Sequence, residues 1–289
     1  MKACLICPAQ RRTVTALARN VPLSNFPVLG KSLLEYWLEH LAGLGASHVR
    51  ILAADRPEMV RELVGTGARW GLSVEVAAEH RELSPVFARV KYPAPKSEWL
   101  PEPNGAVLLD HFPCQPQNPL FRSYAGWFFG VLAWLSRAAN NNRIGVKEVQ
   151  PGVWVAMRAR IADTARLQAP CWVGEGARIG PRAVIGPMAI VENHALVGAD
   201  AEIQRTLVGP DTMVGKFAEL KGSVAWGDTM IDWETGSVAK VTDPLLMCSL
   251  CPPTLRVQAT DWLGQLADLF TRGSEDLEVL WKQRRMKLP

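Results

Sequence analysis

The sequence has no apolar run long enough to cross a membrane and no strong excess of either charge. Its longest apolar stretch, residues 124–135, is shorter than the roughly 20 residues that a membrane-spanning helix needs. The net charge is only +4 and the basic residues are mostly scattered, which argues against nucleic acid as a partner. No signal peptide pattern follows Met1, so we expect a cytoplasmic protein without a transmembrane segment.

Cysteine is scarce, but two C-x-x-C pairs have the spacing that zinc sites use. Cys4 and Cys7 form the first pair, and Cys248 and Cys251 form the second. The first pair falls in a predicted strand, where residues three apart point to opposite faces. We therefore expect no shared zinc site, and no structural disulfide in a reducing compartment.

The clearest pattern is a six-residue repeat in the second half of the chain. Its first position is aliphatic, its second is often glycine and its fifth is small. The first positions are Ile161, Leu167, Val173, Ile179, Ile185, Val191, Val197 and Ile203, and after a slip of one residue Val208, Val214 and Leu220. Apolar residues recur about every 3.6 residues in an amphipathic helix and every 2 residues in an ordinary strand, so neither element explains a period of six.

A hexapeptide repeat predicts a left-handed parallel β-helix, here over residues 153–232. Each hexapeptide supplies one short strand and one turn, and three hexapeptides form a triangular coil of about 18 residues. The aliphatic and small side chains fill the prism, and glycine serves the turn. The slip after Ile203 predicts a bulge or a small loop at one corner. This part resembles the hexapeptide-repeat superfamily, which includes acyltransferases and the C-terminal domains of sugar-nucleotide pyrophosphorylases.

The first half alternates predicted strands and helices, a pattern typical of an α/β sheet with helices on both faces. The predicted strands are residues 3–7, 48–53, 72–76 and 106–109, and the predicted helices are residues 31–44 and 57–64. The aromatic segment 121–138 is interpreted as a core helix, with a membrane-surface helix or a partner-binding face as alternatives.

Residues 2–30 can be laid without a gap on the opening of the sugar-1-phosphate nucleotidylyltransferases, such as mannose-1-phosphate guanylyltransferase. That family opens with a strand, G-G-x-G-T-R-L, a P-K-P segment, and G-K-P-L before a helix. The stretch Pro27-Val28-Leu29-Gly30-Lys31-Ser32-Leu33-Leu34-Glu35-Tyr36 fits the last of these closely. The resemblance implies a Rossmann-like, nucleotidyltransferase-like α/β domain. It places nucleotide contacts at Gln10, Arg11, Arg12 and Asp110, and a Mg²⁺ ligand at Asp110.

The phosphate-binding loop departs from the family pattern. Pro8, Ala9 and Arg11 stand where the family has glycines, Arg12 and Thr13 where it has Thr-Arg, and Leu23 where it has a lysine. Pro8 has no N–H to donate and Leu23 has no charge, so phosphate binding is weakened. Arg11 and Arg12 either replace the lost phosphate anchors or are solvated loop charges. Asp110 either binds Mg²⁺ or serves a turn.

Three parts are expected: a shortened nucleotidyltransferase-like domain at residues 1–150, the β-helix at 151–243, and an irregular and helical tail at 244–289. In the tail, residues 244–251 are predicted to be irregular, with helices at residues 260–270 and from Ser274 onward. Few residues separate Asp110 from the β-helix, so the sugar-binding side of the usual site is short.

Four functional hypotheses remain open at this point. The first is a degenerate nucleotidyltransferase-like protein of sugar-nucleotide or polysaccharide metabolism, which binds a nucleotide sugar or a partner enzyme. The second is an active sugar-1-phosphate nucleotidylyltransferase. The third is a hexapeptide acyltransferase that uses His194, the only histidine of the repeat region, as its base. The fourth is a structural oligomerisation module, and the flat flanks of the prism predict a symmetric homo-oligomer.

Overall fold

A four-stranded parallel sheet forms the centre of the N-terminal half. The structure, a computed structural model, describes residues 1–138 and 143–250. The strands of this half are β1 (Lys2–Ile6), β2 (Pro27–Val28), β3 (Lys31–Ser32), β4 (His48–Ala53), β5 (Ser73–Ala78) and β6 (Ala106–Leu108). The α-helices are α1 (Leu33–Gly43), α2 (Pro57–Val64), α3 (Pro85–Lys91) and α4 (Tyr124–Ala138). Short 3-10 helices cover Arg12–Val14, Leu23–Asn25, Ala68–Trp70, Lys96–Glu98 and Leu120–Arg122.

The order of this sheet is β5-β4-β1-β6, and every neighbouring pair is parallel. The predicted α/β arrangement of the first half is confirmed, and the ends of the predicted strands and of the first two helices are shifted by at most two residues. The sequence does not predict α3 or the β2–β3 hairpin, since both are too short to show a periodic pattern. Among the described residues, no helix is long and apolar enough to cross a membrane.

Helix α1 begins at a capping box and buries one face. The hydroxyl of Ser32 accepts a hydrogen bond from the Glu35 N–H, and the Glu35 carboxylate accepts one from the Ser32 N–H. These two bonds satisfy N–H groups that have no partner inside the helix. The apolar side chains of α1, including Trp37 and Leu41, then pack into the main core.

The two cysteines at the start of the chain lie on opposite faces of the sheet, as the strand prediction requires. Cys7 belongs to the main core on the side of α1 and α4. Cys4 packs with Ile6 and Ala88 in a smaller core under α3. Their side chains are therefore separated by the backbone of the sheet and do not converge on one ion.

Parallel coils build the second half, and most of their strands are only two to four residues long. The strands are β7 (Val146–Gln150), β8 (Val153–Ala156), β9 (Arg160–Ile161), β10 (Arg166–Leu167), β11 (Cys171–Val173), β12 (Arg178–Ile179), β13 (Val184–Ile185), β14 (Ala189–Val191), β15 (Leu196–Val197), β16 (Glu202–Gln204), β17 (Leu207–Val208), β18 (Thr212–Val214), β19 (Glu219–Lys221), β20 (Ser223–Trp226), β21 (Thr229–Asp232), β22 (Val238–Lys240) and β23 (Met247–Ser249). They form three sheets, whose parallel cores are β8-β11-β14-β17-β20, β9-β12-β15-β18 and β10-β13-β16-β19.

The pairing of these strands confirms the repeat. Leu167 pairs with Ile185 and Ile185 with Ile203, so each coil repeats after 18 residues. The aliphatic positions and the small positions lie together inside the prism, and most of them are fully buried. The parallel β-helix is therefore present, and the left hand of its coil stays a prediction.

The slip in the repeat is a shortened corner, not the inserted bulge or loop that the sequence suggests. Beyond it, Ile190 pairs with Leu207 and Ile203 with Leu220, so the repeat falls to 17 residues. The shortened corner is closed by Thr206, whose hydroxyl donates to the Gln204 carbonyl at 2.8 Å. One residue has been removed from the turn, which leaves the inward side chains in register.

Parallel coiling ends earlier than the predicted limit at Asp232. Strand β21 returns antiparallel to β20, and β22 pairs antiparallel with β21, so the last parallel strand is β20. Strand β23 lies in the stretch predicted to be irregular and pairs antiparallel with β18. The compact unit that contains both halves spans residues 1–249. The helices predicted at residues 260–270 and from Ser274 lie outside the described residues.

One flank of the prism is covered by the N-terminal half. The outward side chains of Trp172, Ile190, Leu207 and Val224 are fully buried and belong to the same core as α1 and α4. We call these four residues the covered flank. Aromatic contacts connect the two halves along this flank. The ring centroid of Phe26 lies 5.2 Å from that of Trp127 and 4.5 Å from that of Trp226, and the rings of Phe128 and Trp233 stack with centroids 5.1 Å apart. The aromatic segment is thus a core helix, as predicted by default.

The other two flanks are more polar. Arg160 and Arg178 point outward from one, and Arg166 and Glu219 from the other, all exposed. The apolar flank that would suit a copy of the chain is therefore used within the chain. A homo-oligomer stays a prediction, and it would have to form through more polar surfaces.

The inward and outward positions of the prism predict opposite responses to a charge. Ile185 is fully buried, so Ile185→Asp should destabilise the fold by more than about 4 kcal/mol, because an unpaired charge enters an apolar core. Glu175→Lys on a neighbouring coil should cost less than about 1 kcal/mol, since this side chain is 40% exposed beside Arg158. Guanidinium unfolding followed by circular dichroism measures both. Equal stability of the two variants would contradict the repeat assignment.

Candidate functional site

The carboxyl ends of the parallel strands gather the residues that the sequence singles out. The chain passes from β1 to β4 and β5 on one side, and then returns to β6 on the other side of β1. Open α/β sheets bind ligands at such a switch point, beside the carboxyl ends of the strands. The loop after β1, with Ala9 and Arg11, and Asp110 after β6 flank this point.

The loop after β1 already binds an anion, the carboxylate of Glu82. The Ala9 N–H donates to Glu82 Oε2 at 2.6 Å, and Arg11 Nη2 lies 2.8 Å from Oε1 and 2.7 Å from Oε2. Arg11 also donates to the Ala9 carbonyl at 3.2 Å, which ties the guanidinium to its own loop. The amide and the cation that a phosphate would use are therefore engaged within the chain.

The remaining loop residues predicted to contact a nucleotide do not share the Glu82 contact of Arg11. Gln10 and Arg12 are exposed, whereas Leu23 is buried in the core at 1% exposure. The Thr13 hydroxyl donates to the Phe121 carbonyl at 2.7 Å, and the Ala16 N–H donates to the Tyr124 hydroxyl at 3.0 Å. These two bonds attach the start of α4 and the turn before it to the end of the loop and the residues that follow it. The structure therefore brings Arg11 to an anion but does not group it with Gln10 and Arg12.

Asp110 is engaged by its neighbour. His111 Nδ1 lies 2.7 Å from Asp110 Oδ1, and the Trp37 indole N–H donates to the His111 carbonyl at 2.8 Å. Mg²⁺ takes oxygen ligands in octahedral geometry. Within the described residues, no three His, Cys, Asp or Glu side chains come together to hold a metal ion. This donor set does not fit a metal held by protein ligands alone, and the role of Asp110 as a Mg²⁺ ligand stays a prediction.

A second polar cluster lies where the β2–β3 hairpin meets the prism. Glu192 is fully buried, and its two carboxylate oxygens accept hydrogen bonds from the N–H groups of Leu29 and Gly30, the latter at 2.8 Å. Leu29 and Gly30 both have positive φ, 52° and 76°, as the centre of a type I′ turn requires. The carboxylate therefore holds a turn in which one residue is strained.

Arg143 and Tyr36 complete this cluster. Arg143 donates to the Leu29 carbonyl at 2.6 Å and to the Tyr36 hydroxyl at 3.1 Å, and its guanidinium lies 4.9 Å from the Trp172 ring centroid. Burial raises the pKa of Glu192 from 4.5 to about 7, and the Gly30 and Leu29 amides and Arg143 oppose that rise. Burial likewise raises the pKa of Tyr36. The cluster joins the two halves and is closed to solvent at Glu192.

The same corner of the coil, residues 192–195, also carries the histidine of the acyltransferase hypothesis. His194 is exposed and has a φ of 59°, and its N–H donates to the Glu175 carbonyl at 2.8 Å. Asp211 follows on the next coil, with its N–H bound to the Asn193 carbonyl at 3.1 Å. Burial raises the pKa of Asp211, and the charge of His194 opposes that rise. The histidine is therefore exposed at a corner, as predicted, and Asp211 lies nearby on the next coil.

Three acidic residues of these clusters are not found by reading the sequence: Glu82, Glu192 and Asp211. Glu192 does leave a signal, because it occupies the repeat position that holds glycine in Gly174, Gly180, Gly186 and Gly198. Glu82 and Asp211 leave none. Their partners lie far away in the sequence or on another coil, and an acidic residue in a loop is ordinary.

Comparison with known proteins adds little to this geometry. No family model matches the chain. Among solved structures, the chain is similar to a mutant of perosamine N-acetyltransferase from Caulobacter crescentus in complex with CoA and GDP-perosamine. The two share 12% identity, and the match covers 63% of this chain and 94% of that chain with a TM-score of 0.18. This score is below the level that chains of one fold reach, so we draw nothing about function from it.

The buried carboxylate predicts a specific pH dependence of stability. Because its pKa is higher in the folded chain, Glu192 stabilises the fold at low pH, and this contribution is lost as the pH rises from about 4.5 to about 7. Between about pH 5 and pH 7.5, the wild type should lose on the order of 2 kcal/mol more unfolding free energy than Glu192→Gln. Guanidinium titrations at both pH values measure this, with Glu175→Gln as the half-exposed control. Parallel pH dependence of the wild type and Glu192→Gln would show that Glu192 is not the titrating group.

Proposed function

We propose that the chain is a nucleotidyltransferase-like protein of sugar-nucleotide or polysaccharide metabolism that has lost efficient pyrophosphorylase chemistry. In this proposal it binds a nucleotide sugar or a partner enzyme without turning over a nucleoside triphosphate. The observation that carries the proposal is the position of Glu82, whose carboxylate binds the Ala9 N–H and Arg11. The assignment to the nucleotidyltransferase type itself rests on the motif resemblance of residues 2–36.

The chemistry of the resembling family explains why this contact matters. There, a sugar phosphate attacks the α-phosphorus of a nucleoside triphosphate, and pyrophosphate leaves. Negative charge spreads over the phosphoryl oxygens, so catalysis depends on fixed positive groups around them. Here, a phosphate at the loop would meet the negative charge of Glu82 or would have to displace it. Ground-state binding and the transition state are both disfavoured by the same carboxylate.

Two further observations support the loss of turnover. Leu23, at the position of the family lysine, is part of the hydrophobic core, so this position supplies no charge for phosphate binding. The bonds from Thr13 and Ala16 hold the segment before α4 across the phosphate loop. Gln10, Arg11, Arg12 and Asp110 remain our proposed nucleotide contacts, with Arg11 available only when Glu82 moves away.

We expect pyrophosphate release at background level with each of the four nucleoside triphosphates and a hexose 1-phosphate. Loss of one preorganised contact typically costs about 10²- to 10³-fold in rate, and here several are absent together. A coupled pyrophosphate-release assay on the full chain measures this. Robust turnover by the wild type would overturn the proposal and favour an active nucleotidylyltransferase.

Glu82→Gln tests the observation that carries the proposal. The substitution removes the competing charge, so GTP should raise the melting midpoint of Glu82→Gln more than that of the wild type, since a ligand of the native state stabilises it. Glu75→Gln is the matched control, because Glu75 pairs with exposed Arg50 on the same sheet, away from the loop. Equal GTP shifts in the wild type and in both variants would mean that Glu82 does not guard a phosphate site.

A second candidate function, acyl transfer in the prism, is favoured by the exposed position of His194 at a corner, with Asp211 nearby on the next coil. A general base needs an accessible ring nitrogen and gains from a carboxylate that orients the ring and stabilises its charged form. His194 offers such an accessible ring, and the Asp211 carboxylate would take the orienting role when a substrate draws the two together. The acceptor would be an amine or hydroxyl of a sugar, and the donor an acyl thioester.

His194→Asn and Asp211→Asn test this second function. With acetyl-coenzyme A and nucleotide-linked amino sugars, acetyl transfer should fall about 100-fold or more in His194→Asn, since general bases contribute about 10²- to 10⁴-fold. His48→Asn, a change at an exposed histidine of the N-terminal sheet, is the control. If the wild type transfers no acetyl group, or if His194→Asn keeps the full rate, the prism is not an acyltransferase.

A further inference from the structure

A thiol, an imidazole and an amide meet on the surface of the N-terminal half, at a place that none of the functions above uses. Cys114 is exposed in the loop after β6, and its Sγ lies 4.0 Å from Nε2 of His40 on α1. The side chain of Asn104, in the turn before β6, is hydrogen-bonded to the His40 ring as well. Three separate segments of the chain thus contribute one polar group each.

The arrangement sets the tautomer of His40. With Nε2 facing the thiol, Nδ1 is the nitrogen left for Asn104, whose amide oxygen can accept its proton. Nε2 then presents a lone pair to the S–H of Cys114, which is the form that a general base needs. Such nucleophile–base distances are often long in free proteins and shorten when a substrate binds.

The surroundings hold His40 in this position and keep it neutral. The Trp37 ring makes edge-to-face contacts with His40 and with His111, with ring centroids 5.6 Å and 5.4 Å apart. His111 is in turn bonded to Asp110. His111 and Asp110 are titratable groups close to this part of α1. Partial burial lowers the pKa of His40 from 6.5, while the Asn104 bond opposes the shift. At neutral pH the ring is therefore an acceptor.

Cys114 differs from the other described cysteines. Burial raises the pKa of Cys4, Cys7 and Cys171 to about 12, so these thiols do not ionise near neutrality. Cys248 is partly buried, and its pKa is raised as well. Reactive cysteines are exposed and lie next to a base or a cation, whereas buried ones are inert. Of the described cysteines, only Cys114 has both features.

The loop that carries the thiol also contains a buried acceptor without a hydrogen-bond partner. Gln115 is buried, with 7% exposure, and its Oε1 has no hydrogen-bond partner among the described residues. Buried polar atoms are nearly always satisfied, so such an exception marks a place where a ligand or a water completes the structure. Gln115 directly follows Cys114 in the chain, so the unsatisfied acceptor belongs to the same loop as the thiol.

We propose that Cys114, His40 and Asn104 form a nucleophilic site that accepts an acyl group from an acyl thioester. His40 Nε2 takes the thiol proton while Cys114 Sγ bonds to the carbonyl carbon of the thioester. The bond from that carbon to the leaving sulfur breaks, and the leaving sulfur takes the proton from His40. The products are S-acylated Cys114 and a free thiol, with no oxidant or reductant. Asn104 is a positioning residue that acts through His40.

The test uses the full chain and S-acetyl-N-acetylcysteamine, a minimal acyl thioester, with acylation followed by intact mass and peptide mapping. We expect a hydroxylamine-labile acetyl group on Cys114 and none in Cys114→Ser. His40→Gln should slow acylation about 100-fold or more, since general-base catalysis contributes about 10²- to 10⁴-fold. Cys248→Ser and His48→Gln, which change a cysteine and a histidine elsewhere, should react like the wild type.

The pH profile separates a base from a merely structural residue. The wild-type rate should fall as the pH drops through the lowered pKa of His40, and this step should vanish in His40→Gln. Asn104→Ala, in a surface turn, provides the same test if His40→Gln does not fold, and its expected loss is smaller. Acylation at wild-type rate in Asn104→Ala or His40→Gln, an unchanged pH profile, or equal labelling of another cysteine would overturn the proposal.

Discussion

Burial of the covered flank is the interaction on which the rest of the structure depends. A β-helix needs only its inward residues to form a prism, yet here Trp172, Ile190, Leu207 and Val224 point outward and are fully buried. Burying one such side chain contributes roughly 1.5–3 kcal/mol, so four of them are comparable to the whole net stability of a domain, about 5–15 kcal/mol. The prism therefore requires the N-terminal half as its cover. The two halves form one compact unit with a shared core, not two modules on a linker.

The polar contacts at this junction decide how the two halves are aligned. A carboxylate as buried as that of Glu192 is tolerated only where hydrogen bonds compensate for the loss of water. The turn at Leu29 and Gly30 offers two adjacent N–H groups at one place, and Arg143 closes the same turn from its carbonyl side. The stretch that most resembles a nucleotidyltransferase, Pro27 to Tyr36, is thereby used to hold the prism. The loop after β1 is likewise held by a contact within the chain, because the Glu82 carboxylate binds the Ala9 N–H and Arg11.

The sequence predicts the parts of the structure that depend on local or periodic patterns. The prism follows from one inward aliphatic side chain in every six, and helix α1 follows from its apolar face and its capping residues. The covered flank was also readable in principle, since every third hexapeptide has Trp172, Ile190, Leu207 or Val224 just before its inward residue. Arg160, Arg166 and Arg178 occupy that position elsewhere. The polar contacts cannot be predicted from the sequence in this way. Glu82 binds Arg11 across 71 residues and Glu192 binds Gly30 across 162, and no local pattern specifies such pairs.

Native-state hydrogen exchange under increasing guanidinium tests the central claim most directly, because it reports the opening free energy of each segment separately. Peptides from β1 and β4 report on the N-terminal sheet, and peptides from β11, β14 and β17 report on the covered flank. If the shared core unites the halves, both sets should lose protection together, with the same free energy and the same denaturant dependence. Exchange of the N-terminal sheet at low denaturant, while the prism stays protected, would contradict the account.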